Sequence, residues 1–237
     1  LVAGIDRGPT STKGLVLGPA GIAATLPGLP HRQSFPAPGL VEHDAGELLA
    51  NVRATADAAI RAGATSLGLA NQGETVIAWN RDTGEPLAPA IVWQDQRTAS
   101  AIGRLASDGV AAEVAARSGL PLDCYFSASK LRWLLNNAPG AHKLAARGRL
   151  GLGTSDSYFI ERLTGRYATD PTTASRTSLM NLAGCTWDEQ LGEIFGVPVE
   201  LLPEIVDDRQ PVGELRTDAG TATLHAGAVD QVAALYG

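Results

Sequence analysis

The stretch Gly4-Ile5-Asp6-Arg7-Gly8-Pro9-Thr10-Ser11-Thr12-Lys13-Gly14 decides the fold. Leu1 to Ile5 reads as a buried strand and Gly14 to Gly18 as the next, so the polar stretch between them must reverse the chain. The spacing predicts a hairpin with hydroxyls and an acid at its tip. Such a tip suits phosphate chemistry: Gly8 lets the backbone approach an anion, Thr10, Ser11 and Thr12 donate hydrogen bonds, and Lys13 supplies a point charge. Asp6, at the C-terminal end of the strand, is a candidate ligand for a hydrated magnesium ion. The stretch is no Walker A loop, because Lys13 precedes Gly14 and a strand follows. The same residue types also make an ordinary turn.

Working outward, Gly18-Pro19-Ala20-Gly21 is a turn and Ile22 to Leu26 a third strand, so three antiparallel strands open the domain. A proline-rich loop from Pro27 to Pro38 leads to a capping box, Asp44 with Glu47, and a helix that ends near Gly63. Strands follow at Ser66 to Ala70, Thr75 to Trp79 and Ala90 to Trp93. Helices are predicted at Gln96 to Leu105, Gly109 to Arg117 and Ser127 to Asn137. Leu150 to Gly153 reads as a strand, Thr154 to Leu163 as a helix stopped at Gly165, and Thr186 with Glu189 caps a helix that ends at Gly196. Thr221 to His225 reads as a strand, and Gly227 to Gln231 as the turn into a helix burying Val232, Leu235 and Tyr236. The first residue is Leu and that last helix has barely begun at Gly237, so the sequence reads as one domain of a longer protein.

At 237 residues, 44% hydrophobic and 19% charged, the chain is long enough for a sizeable α/β core and too apolar for disorder. A net charge of -6 spread along the chain argues against nucleic acid or membrane as main partner. Two cysteines, Cys124 and Cys185, make no disulfide framework, and no apolar run approaches the roughly 20 residues that span a bilayer. The expected compartment is the cytoplasm.

Several constellations could carry chemistry. Asp230 follows a strand and precedes a helix, where α/β proteins place catalytic side chains and where a carboxylate could take a proton from an alcohol; the plain reading is an acid at a helix N-terminus. Asn71-Gln72-Gly73-Glu74-Thr75 lies between two strands and could bind hydroxyls. Trp93, Tyr125 and Phe126 could wall a carbon skeleton or simply pack. Ser127-Ala128-Ser129-Lys130 matches the S-x-x-K pattern of acyl-transferring serine enzymes, but without a K-T-G partner Ser127 reads as a helix N-cap. The four histidines have no zinc-ligand spacing.

Taken together, these segments resemble the FGGY carbohydrate kinases, most closely their glycerol kinase branch. The likeness runs through Gly4 to Lys13, Pro38 to Asp44, Asn71 to Thr75, Thr83 to Leu87, Ile91 to Thr98, Leu120 to Ser127, Thr173 to Thr177 and Gly227 to Gln231, in order. The resemblance implies a ribonuclease H-like (actin-like ATPase) α/β domain, residues 1–237, with a mixed sheet and helices on both faces. A second, C-terminal domain would complete the ATP site. It implies ATP and Mg²⁺ as cofactors and a small polyol or sugar as substrate. Asp230 would be the general base. Asp6, Thr10, Ser11, Thr12 and Lys13 would face the phosphates and metal. Gly73, Glu74, Trp93, Tyr125, Asp230 and Gln231 would line the substrate. Homo-oligomer formation stays open.

Two departures bear on the substrate. Glycerol kinases usually have Arg where this chain has Gly73, and Pro9 and Val229 replace a Thr and a Gly common in the branch; a larger polyol or sugar then becomes eligible. The competing readings are an actin-like nucleotide-binding assembly module, against which Glu74, Trp93 and Tyr125 argue, and a ribonuclease H-like nuclease, against which the acidic balance argues.

Overall fold

The computed structural model describes residues 1–207, 210–225 and 227–236. The opening hairpin is longer than the sequence predicts. β1 (Val2–Arg7) pairs with β2 (Ser11–Gly18), which pairs in turn with β3 (Gly21–Pro30), all antiparallel. Hydrogen bonding thus continues through the polar residues Asp6, Arg7, Thr12 and Lys13, and only Gly8, Pro9 and Thr10 remain as turn. Strand Ser66–Asn71 runs parallel beside β1, and Gly220–His225 and Ala228–Val229 run parallel along its far side. With Pro211–Thr217 at the edge these form a seven-stranded mixed sheet.

One face of this sheet is the core. Alternation puts Ala3, Ile5 and Val16 on it, against Leu48, Val52, Ala56 and Ala59 of α1 (Ala45–Arg61). Each Leu or Val so buried contributes about 1.5–3 kcal/mol. Asp44 caps α1 by accepting the Glu47 amide, as the sequence predicts. The opposite face carries Val2, Leu15 and Leu17, each 40% exposed or more. Helices therefore cover one face of this sheet. Helices on both faces do occur in the second, five-stranded sheet, where Ile77 and Trp79 of strand Val76–Asn80 pack with Tyr158 and Phe159 of helix Ser155–Thr164 while Val76 and Ala78 pack with Leu131 and Leu134 of helix Ser127–Asn137.

Three local expectations are corrected. Helix Glu189–Phe195 is capped by Asp188, whose carboxylate accepts the Leu191 amide, while Thr186 belongs to a short strand. Ser127 is the first residue of its helix and makes no cap; Phe126 holds that position with extended backbone. Leu235 of helix Asp230–Tyr236 is 84% exposed, on a helix that packs mainly along strands Ala228–Val229 and Ser66–Asn71. The Tyr236 side chain and Gly237 lie outside the described residues.

Candidate active site

The register of three parallel strands builds the site. Asp6 lies beside Ala70 and Ala70 beside Ala228, so the C-terminal ends of β1, Ser66–Asn71 and Ala228–Val229 open on one edge. That edge spans two strand spacings, roughly 10 Å. Asp6 stands on it from β1, and Asp230 follows it directly after Val229. Burial first, and the Asp6 charge with it, push the Asp230 carboxyl above its usual range, against the Gln231 amide that it accepts at 2.8 Å and against Arg7. Gly227 is obligatory in this run, since a Cβ there would fall 1.5 Å from the Leu69 carbonyl oxygen. The Val229 amide donates to Thr172 Oγ1 at 2.8 Å, which fixes the step into Asp230.

At the β1–β2 hairpin, Asp6 and Lys13 are cross-strand partners on the exposed face, with Thr10 exposed and Ser11 half-buried at the turn. Gly8 has only ordinary contacts where a Cβ would stand, the nearest being the Ser11 carbonyl oxygen at 3.7 Å and Asp6 Oδ2 at 4.0 Å. The turn is pinned from beneath: His31 Nε2 and Gln33 Nε2 reach the Pro9 carbonyl at 2.9 and 2.8 Å. Thr12 does not join this group. Strand alternation turns it to the buried face with Arg7, fully out of solvent and with its hydroxyl unpartnered. Among the described residues no three His, Cys, Asp or Glu side chains stand close enough to enclose a metal. Asp6 alone fits a hydrated Mg²⁺, which keeps most of its waters and shares phosphate oxygens.

On the other side stands a closed network. The turn after Ser66–Asn71 places Glu74 at φ 61°, in the left-handed region, with the Thr75 amide bonded back to the Gly73 carbonyl at 2.8 Å. Glu74 is buried, which raises its pKa, and accepts Arg176 Nε at 2.7 Å. The Arg176 guanidinium lies 5.0 Å from the Phe126 ring centre and 6.0 Å from that of Tyr125, and Tyr125 packs on Trp93 at 5.3 Å. The Asp230 charge contributes to raising the pKa of both Glu74 and Tyr125. Gln231 is exposed beside Asp230.

Against known proteins, the sequence model of the FGGY family of carbohydrate kinases, N-terminal domain, matches residues 1–237. The chain belongs to that family. It is 44% identical over an alignment of 246 residues to a glycerol kinase of Trichlorobacter lovleyi, covering all of this chain and 50% of that protein, and 40% identical to one of Bordetella pertussis, covering 48% of it. Among solved structures, Plasmodium falciparum glycerol kinase with ADP superposes with a TM-score of 0.90 at 29% identity, over 97% of this chain and 48% of that one. A xylulose kinase of Rhodospirillum rubrum, at 24% identity, shares the fold with a TM-score of 0.85 over 99% of this chain and 50% of that one. The chain spans about half the length of the relatives it matches. The ribonuclease H-like, actin-like fold expected from sequence is thereby established.

Within this FGGY domain the departures at Gly73 and Val229 meet in space. A Cβ built on Gly73 would stand 2.6 Å from Val229 Cγ2. Val229 thus fills the space that a side chain at position 73 would need, so Gly73 cannot gain one while Val229 stays where it is.

Sequence reasoning missed two cations. Arg176 was legible only as part of a matching segment; nothing in its spacing predicts the Glu74 partner 102 positions away. Arg7 is fully buried, donating to Gln72 Oε1 and, at 3.4 Å, to Ser155 Oγ, with Nε unpartnered. Desolvation lowers its pKa to about 10, against the charges of Asp230 and Asp6. Its signal is the charged pair Asp6-Arg7 at the end of an apolar run.

Proposed function

We propose that this chain is the acceptor-binding half of an ATP-dependent kinase that phosphorylates a hydroxyl of a small polyol or sugar. The observation that carries the reading is the shared edge: Asp6 and Lys13 on one side of Asp230, and the Glu74–Arg176–Tyr125–Trp93 network on the other. Glu74 accepts from substrate hydroxyls through the oxygen it does not give to Arg176, and Trp93 and Tyr125 exclude water from the carbon chain. Asp230 accepts the proton of the attacking hydroxyl; its raised pKa makes it a stronger base than an exposed carboxylate. Lys13 and the Thr10 and Ser11 hydroxyls bind phosphate oxygens of ATP, and bound Mg²⁺ held by Asp6 would neutralise their charge. A C-terminal domain supplies the nucleotide pocket, in keeping with relatives about twice as long.

The substrate class follows from position 73. The cation that glycerol kinases usually present there is absent, and the buried Val229 fills the space beside Gly73, so the site loses a charged donor without gaining room. The expected acceptor is a small polyol or sugar that does not depend on a guanidinium at position 73.

The test is Asp230→Asn in the full-length protein, assayed with glycerol, tetritols, pentitols and ketopentoses. Turnover should fall by about 10²–10⁴, the usual contribution of a general base, with acceptor affinity within a few-fold. Undiminished turnover removes Asp230 from the chemistry.

A further inference from the structure

Lys130, the lysine of the S-x-x-K match, has no role in the site as described so far. It is fully buried and forms no ion pair with any described residue. Its Nζ donates to the carbonyl oxygens of Cys124 at 2.6 Å, Tyr125 at 2.6 Å and Phe126 at 3.0 Å. An ammonium has three protons, and three successive carbonyls take them all. None is left for Ser127, whose Oγ is buried and unpartnered, so the pair is no nucleophile and base.

Three consecutive carbonyls can converge on one point only if the backbone curls around it. That curl carries Tyr125 against Trp93 and Phe126 against the Arg176 guanidinium. A buried ammonium without a carboxylate is expensive, so the loop is tied to it: opening the loop strands the charge. Two further hydrogen bonds anchor the loop, from the Tyr125 amide to Asp123 Oδ1 at 2.7 Å and from the Ala128 amide to the Thr177 carbonyl at 2.8 Å, and neither holds a carbonyl of residues 124–126.

We propose that Lys130 is a positioning residue for the acceptor: it holds the loop 124–126 in the shape that presents Tyr125 and supports Arg176. This rests on the acceptor site described under Proposed function. A pH signature accompanies it. Burial lowers the Lys130 pKa to about 8, against the charges of Cys124, Glu74, Asp95 and Asp123. Of these, Asp95 is held ionised by Arg97, the Cys124 thiol is raised by burial, and Glu74 is paired with Arg176. As pH rises through about 8 the ammonium loses a proton, one carbonyl loses its donor, and the loop loosens.

The experiment measures KM for the best acceptor and for ATP from pH 6.5 to 9.5 in the full-length protein, comparing wild type, Lys130→Met and Lys130→Gln. Loss of three charge-assisted bonds should raise the acceptor KM by at least about tenfold in Lys130→Met at pH 7, while the KM for ATP stays within about twofold. Wild-type acceptor KM should climb above pH 8 and that of Lys130→Met should stay flat. Lys130→Gln, with two N–H donors, should fall between; if Lys130→Met does not fold, Lys130→Gln is judged by the same criteria. An unchanged acceptor KM in a folded variant, or acceptor and ATP KM rising together, overturns the proposal. Glu74→Ala in the same assay separates the two readings: if it raises the acceptor KM and the Lys130 variants do not, only the Lys130 inference fails.

Discussion

The two sides of the edge around Asp230 are built on opposite plans. The acceptor side is bonded to itself: Glu74 is spent on Arg176, Arg176 lies on Phe126, Tyr125 on Trp93, and Lys130 locks the loop beneath. The phosphate side is bare, with Asp6 and Lys13 exposed. On the proposed assignment, recognition of the acceptor is pre-organised within this domain, whereas the proposed phosphate side presents charges to a group that arrives from outside it.

The sharpest way to break that contrast is to unpair the closed side. Arg176→Ala leaves Glu74 buried without its cation, and removal of one partner from a buried pair costs about 3–5 kcal/mol; since Arg176 is partly exposed, the lower end is expected in urea melts, together with a large rise in acceptor KM. The Gly73–Val229 contact comes next. Gly73→Arg alone should destabilise by about 1–3 kcal/mol through overpacking, and Gly73→Arg with Val229→Gly should recover most of it, a coupling read directly from a double-mutant cycle; additive losses would show the contact to be immaterial.

A smaller effect lies deeper on the closed side. Asp156 is wholly buried, accepts Thr169 Oγ1 at 2.6 Å, and has its pKa raised to about 7 by burial and by Asp170. Asp170 accepts amides and hydroxyls of Thr172 and Thr173 and caps the helix that precedes Arg176, so the proton of the pair resides on Asp156. The folded chain holds this proton more tightly than the unfolded chain, so the group's contribution is present below about pH 4 and is lost as pH rises toward 7. Asp156→Asn should therefore match wild type at pH 4 and melt higher at pH 8, by roughly 2–4 °C for each kcal/mol recovered. An equal shift at both pH values would contradict the assignment. The smallest change in stability belongs to the open side: Lys13→Met should alter stability by less than about 0.5 kcal/mol and raise the KM for ATP alone.

This contrast also explains what was legible in the sequence. The Asp44 cap, the stop at Gly165 and helix Ser127–Asn137 are local signals, and each appears where its pattern places it, although the Glu47 carboxylate accepts the Arg32 amide and does not close the capping box. Asp6 and Asp230 lie at strand ends, so position in the chain already fixed their edge, and Lys13 joins them as the cross-strand partner of Asp6. The closed side is made by contacts between residues far apart: Glu74 with Arg176, Gly73 with Val229, Arg7 with Ser155. Such pairs leave no periodicity. Thr12 was misplaced for the reverse reason, because hydroxyls beside a glycine read as turn while the strand in fact continues through them and alternation buries the second.

Calorimetric titration of the best acceptor into the full-length protein without nucleotide tests the pre-organised acceptor side most directly. The account predicts saturable binding that Lys13→Met leaves within a few-fold and Glu74→Ala removes. Binding that requires nucleotide, or that survives Glu74→Ala and fails in Lys13→Met, would contradict it.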